Sequence, residues 1–125
     1  MVTAITTTEL FIALCNEPDA AKRHALIDQA FTEDAVYFDT VNAGSAHAGI
    51  EAAWTTIMAH ATTAEVSLMS EPEQHHDWLR MRWKLIPDGQ PEAGVEGTYL
   101  CQVGDDGRFT RMIGFLDKFP ALPAS

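Results

Sequence analysis

The chain has 125 residues, 46 % hydrophobic and 21 % charged, the size and make-up of one folded domain and not of a disordered chain. Its formal net charge is −10, from 8 Lys+Arg against 18 Asp+Glu, so phosphate backbones and anionic membranes repel it and neither nucleic acid nor a membrane is an expected partner. No apolar run approaches the roughly 20 residues of a membrane span, and MVTAITTTEL has no basic segment leading into an apolar one, so a single cytoplasmic domain over 1–125 is expected.

Thr6, Thr7 and Thr8 are candidate N-caps of a first helix, with Glu9 completing a capping box from Thr6. Leu10, Phe11, Leu14 and Cys15 share one face of it, and Asn16 to Pro18 end it. Asp19 can cap a second helix with Ala21, Leu26, Ile27, Ala30 and Phe31 apolar, which Thr32-Glu33-Asp34 breaks. AVYFD reads as a strand with Val36 and Phe38 on one face and Ala35, Tyr37 and Asp39 on the other. After the loop TVNAGSAHAG, a third helix is expected from about Ile50 to Ala61, where Ile50, Ala53, Trp54, Ile57 and Met58 keep helical spacing.

Beyond Thr63 the period becomes two. EVSLMSE and HDWLRMRWKLI read as strands, the second with Leu79, Met81, Trp83 and Leu85 on one face and Trp78, Arg80, Arg82 and Lys84 on the other. A turn begins at Pro87-Asp88-Gly89 and runs through Pro91. GVEGTYLCQV and RFTRMIGFLD follow as strands, joined by a hairpin turn at Gly104–Gly107. Early helices and late antiparallel strands specify an α+β domain, a curved antiparallel sheet wrapped over three helices.

Asp39 can be a general base at a pocket mouth, since a carboxylate near Tyr37, Trp54 and Met58 is partly desolvated, or a strand-ending Asp that bonds loop amides in an Asx-turn. Tyr99 and Trp83 fall on the interior face as core aromatics or pocket walls. His47 stands beside Asp39 in the chain and can cover the pocket mouth or pair with Asp39. Asp117 shares a face with Phe115 and can reach the interior or pair with Lys118 or an Arg. His47, His60, His75 and His76 lack the convergence a metal needs, so no metal is expected. Cys15 and Cys101 read as small buried hydrophobes. Glu96 should face outward, towards Arg80 or Arg82.

FTEDAVYFD, HAGIEAAW and DDGRFTRMIGFLDKFP, in this element order, resemble the nuclear transport factor 2-like superfamily, which includes ketosteroid isomerases and SnoaL-like polyketide cyclases. The resemblance implies a cone-shaped, cystatin-like α+β roll and a pocket for a small apolar molecule. It also implies a homodimer through the outer sheet face, where Trp78 is exposed. In ketosteroid isomerases the first strand ends in a catalytic Asp within D-A-x-x-x-D, and Asp34-Ala35-Val36-Tyr37-Phe38-Asp39 matches that spacing. The family's helix Tyr aligns with Phe11, and its late-strand acid aligns near Tyr99. The first reading that follows is a SnoaL-like, cofactor-free isomerase, cyclase or dehydratase. Asp39 would be the base, Tyr99 the enolate stabiliser, and Tyr37, Trp54, Met58, Trp83, Phe115, His47 and Asp117 the pocket residues. The second is a non-catalytic ligand-binding or dimeric scaffold domain. A ligand pocket should reach roughly 300 Å³.

Overall fold

The computed structural model describes residues 3–60, 64–87 and 94–118. Helix α1 spans Ala4–Asn16, and its cap is Thr3, whose side chain accepts from the Thr6 amide at 3.1 Å. The three threonines that resemble caps lie inside the helix instead. The buried Thr7 hydroxyl docks α1 by donating to the Gly107 carbonyl at 2.6 Å, and the Thr8 hydroxyl donates back to the Ala4 carbonyl at 2.9 Å. At the other end, the Arg23 guanidinium donates to the carbonyls of Glu17 and Pro18 at 2.9 and 2.7 Å, so a cation meets the negative end of the helix.

Helix α2 spans Ala20–Ala30, with Asp19 capping it through the Lys22 amide at 2.9 Å. It runs straight into β1, Phe31–Phe38, so Thr32-Glu33-Asp34 is not a break between elements. These polar residues belong to the strand, where the pairing register slips between Phe31 and Val36, as at a β-bulge. The short β2, Ala43–Ser45, folds back along β1, and α3 covers Ala46–His60, four residues earlier than its apolar spacing suggests. Its start is fixed by contact of Gly44 with Gly49, since a side chain on Gly44 would meet the Gly49 carbonyl.

Five more strands follow: β3 Ala64–Leu68, β4 Glu73–His75, β5 Trp78–Pro87, β6 Val95–Val103 and β7 Phe109–Lys118. β4 and β5 form a two-residue hairpin over His76 and Asp77, and His76 takes the left-handed φ of 55°. The turn expected from Pro87 through Pro91 lies, after Pro87, outside the described residues. The sheet order is β2-β1-β7-β6-β5-β3, with β4 on β5. One correction concerns pairing, for β1 lies parallel to β7 and the sheet is therefore mixed. A parallel neighbour needs a long crossover, and α3 with the whole meander supplies it.

The inner face of the sheet and the helices enclose one core. Leu79, Met81 and Trp83 of β5 are buried, while Trp78, Arg80 and Arg82 between them are exposed, as their alternation specifies. Phe11, Phe31 and Phe109 are fully buried, with T-shaped ring contacts at 6.2 and 6.0 Å.

Candidate functional site

Packing is not complete everywhere. A cavity of about 190 Å³ lies between α1, α3 and the inner face of β5, β6 and β7, walled mainly by Val41, Trp54, Ile57, Met58, Trp83 and Leu116. It is smaller than the roughly 300 Å³ usual for ligand sites, but larger than the ~150 Å³ apolar hole that accepts benzene. One substituted ring fits it.

Its polar wall comes from the end of β1 and the middle of β6. Asp39 accepts from the backbone amides of Val41 and Asn42 on Oδ1, at 2.9 and 2.8 Å, and from the Tyr37 hydroxyl on Oδ2, at 2.6 Å. The Tyr37 and Tyr99 hydroxyls stand 3.2 Å apart. A phenol has one proton, and Tyr37 spends it on Asp39, so Tyr99 donates to Tyr37 and the three groups form a directed series. Burial pushes both phenols well above the ordinary tyrosine range, with the neighbouring hydroxyl and carboxylate adding to the effect at Tyr37. Both are therefore neutral hydroxyls at physiological pH.

The rings around this series are tightly set. Tyr99 stacks on Trp83 at 5.5 Å and meets Phe11 edge-on at 5.1 Å, while Tyr37 meets Trp54 at 4.9 Å. Two glycines make room for them. A Cβ on Gly114 would stand 2.7 Å from Tyr99 Cε1 and 3.1 Å from Asp39 Cβ, and one on Gly97 would run into the Trp83 ring. Among the buried side-chain polar atoms of the described residues, only the indole nitrogens of Trp54 and Trp83, both wall residues, lack a partner. The Cys15 thiol also lines the cavity, and burial raises it far above the usual thiol range, so it is no nucleophile at neutral pH.

Asp39, Tyr99, Trp54, Met58 and Trp83 thus share the cavity, and Tyr37 lies behind the first two. Two other expected site residues, His47 and Asp117, are placed differently. His47 sits near the far end of β1, its Nδ1 2.8 Å from Asp28 Oδ1 and its Nε2 2.8 Å from the Phe31 carbonyl. Asp117 is on the outer face and accepts from the Thr98 hydroxyl at 2.7 Å, not from Lys118, whose ammonium is 3.7 Å from Glu96. Glu96 itself lies opposite Lys84, and Arg80 pairs with Glu73 at 2.7 Å. Phe115 borders the cavity, yet it alternates with the inward Gly114 and Leu116 and is 52 % exposed. Sequence reasoning missed Gly114, Val41 and Asn42. A glycine inside an otherwise apolar strand was the available signal for the first.

Among the described residues no cluster of metal-binding side chains occurs, and no helix is long and apolar enough to cross a membrane. No protein-family model and no curated protein matches the sequence. Solved structures do. A proposed isomerase of the SnoaL-like family from Agrobacterium tumefaciens is 28 % identical, with 94 % of this chain and 100 % of that one aligned at a TM-score of 0.82. A proposed polyketide cyclase from Sinorhizobium meliloti is 19 % identical over 87 % and 93 % of the two chains, at 0.70. A nuclear transport factor 2-like protein of unknown function from Mesorhizobium loti is 18 % identical over 92 % and 91 %, at 0.69.

Proposed function

The chain belongs to the nuclear transport factor 2-like superfamily, and from that premise we propose that its cavity takes a one-ring, carbonyl-bearing, mainly apolar molecule and moves a proton on the carbon beside the carbonyl. The observation that carries this reading is the series Tyr99–Tyr37–Asp39, set in a wall that is otherwise almost wholly apolar. The Asp39 Oδ2 atom holds one strong bond, from Tyr37, and keeps a lone pair for the substrate proton. Tyr99 stands beside it to meet the oxygen that becomes negative. The flat walls of Trp54 and Trp83 hold a ring, and the reaction class is isomerisation, cyclisation or dehydration by the chain's own groups. Support comes from the isomerase and cyclase activities proposed for the aligned proteins from A. tumefaciens and S. meliloti.

A second reading has its own observation. The two amide bonds to Asp39 Oδ1 are what an Asx-turn requires, and they account for the residue without chemistry. The cavity would then bind a ligand and leave it unchanged. Deuterium exchange separates the two. In heavy water the protein should speed deuterium uptake at the carbon next to the carbonyl of 2-cyclohexenone and related one-ring ketones. Asp39→Asn should slow it at least about a hundredfold. Uptake no faster than in buffer across such a series favours the binding-only reading.

The proposal extends to a homodimer through the outer sheet face, where Trp78 and Phe115 are 36 % and 52 % exposed beside Arg80 and Arg82. Light scattering on the protein and on a Trp78→Glu, Phe115→Glu variant tests it. A wild-type monomer would sink it.

A further inference from the structure

We infer that Tyr37 is a reversible hydroxyl switch that ties the hydrogen-bonding sense of Tyr99 to the charge on Asp39, so that the cavity presents an acceptor while Asp39 is ionised and a donor once Asp39 is neutral. The inference rests on the acid–base reading of the cavity and adds how its two polar groups are coupled.

With Asp39 ionised, Tyr37 donates to Oδ2 at 2.6 Å, and the 3.2 Å contact leaves Tyr99 as donor to Tyr37. The Tyr99 oxygen then has only lone pairs to offer the cavity. In this state it suits a ligand hydroxyl and repels a carbonyl or enolate oxygen. When a substrate carbon gives its proton to Asp39, the C–H electron pair becomes the enolate and the negative charge leaves the carboxyl. The neutral carboxyl O–H can donate to the Tyr37 oxygen. Tyr37 then donates to Tyr99, and Tyr99 donates to the enolate oxygen. Only hydroxyl protons rotate, no O–H bond needs to break, and return of the proton to carbon restores the first state. The donor therefore faces the substrate oxygen as charge builds there and not before, so it favours the transition state over the ground state.

Three features hold the series in place. Oδ1 is tied to the backbone amides of Val41 and Asn42, which leaves Oδ2 as the end that changes partner, apart from long contacts of 3.4 Å from the Asn42 side-chain Nδ2 to both oxygens. The Tyr37 ring is fully buried against Trp54, and Gly114 lets Tyr99 and Asp39 approach each other. Other titratable groups near the series are the thiols of Cys15 and Cys101, both neutral because burial raises them. Tyr37 touches no ligand, since it lies behind the wall. It is a positioning residue.

Asp39→Asn imitates the neutral state without substrate. Its oxygen can keep the two loop amides, and its NH₂ donates to Tyr37, so the series should invert. The chain has 2 tyrosines, Tyr37 and Tyr99, so infrared spectra of protein carrying ring-labelled tyrosine report on these two hydroxyls alone. The C–O stretching bands should move between wild type and Asp39→Asn in the ligand-free protein. In parallel, the ratio of affinities for 2-cyclohexenone, an acceptor, and phenol, a donor, should rise about tenfold in Asp39→Asn, one hydrogen bond's worth. That rise should vanish when Asp39→Asn is made on Tyr37→Phe. Bands that do not move, or a ratio that shifts as much with Phe at position 37, would overturn the switch. If neither probe binds, or Tyr37→Phe does not fold, the bands decide. A wild-type protein that does not speed deuterium exchange, with the inversion intact in Asp39→Asn, defeats the acid–base reading alone, and wild-type exchange without the inversion defeats the switch alone.

Discussion

The parallel pair β1 and β7 has two ends that differ in almost everything except backbone pairing. At its start Phe31 and Phe109 lie side by side at 6.0 Å, both fully buried, with Phe11 closing the space at 6.2 Å. At its far end Tyr37 faces Met112, the chain turns at Asp39, and Gly114 stands where another large side chain would complete the core. The same sheet face thus changes from solid to hollow within one strand length. What changes is side-chain volume and the presence of three oxygen-bearing groups in series. The packed end holds the fold together, and the hollow end frees a surface on which chemistry can act.

Breaking the packed end should give the largest effect. Phe109→Ala removes a fully buried ring and should cost about 3–5 kcal/mol in urea unfolding. Asp39→Asn is the matching change at the hollow end. It should lower turnover at least about a hundredfold, about 2.7 kcal/mol of barrier, while unfolding free energy stays within ~1 kcal/mol because the loop amides keep an acceptor. An equal stability loss at both ends would erase the distinction. Filling the hollow with Gly114→Ala sets a methyl 2.7 Å from the Tyr99 ring and should cost about 1–3 kcal/mol, with loss of phenol binding read by calorimetry. The smallest effect lies outside both ends. The His24 imidazole is raised above its ordinary pKa by its 2.7 Å hydrogen bond to Glu51, helped by the charges of Glu51 and Asp28. The folded state therefore binds the proton more tightly than the unfolded chain. The resulting stability is full below the unfolded value of about 6.5 and is lost as pH rises through the folded one. The pair is exposed, so His24→Ala should flatten a shallow slope that salt also removes.

Much of the fold was legible where local rules suffice. Asp19 caps α2, and the alternation of Leu79, Met81 and Trp83 sets the inner face of β5. Asp39 was legible by strand phase, since Ala35 and Tyr37 before it are buried. The parallel pairing of β1 with β7 was not, for no local pattern encodes a contact across most of the chain. β7 misled about Asp117 because apolar residues occupy both of its faces and Gly114 has no side chain to mark the inner one. His47 misled through proximity in sequence. β2 runs antiparallel to β1, carrying the chain back from Asp39, so His47 ends near Phe31.

The most direct test of an acid–base site at the hollow end is a crystal structure of the protein with 2-cyclohexenone bound. The ring should lie between Trp54 and Trp83, with the carbon beside the carbonyl about 3–3.5 Å from Asp39 Oδ2. A ring bound elsewhere, or held in the cavity with that carbon out of reach of Asp39, would contradict it and leave Asp39 as the anchor of its own turn.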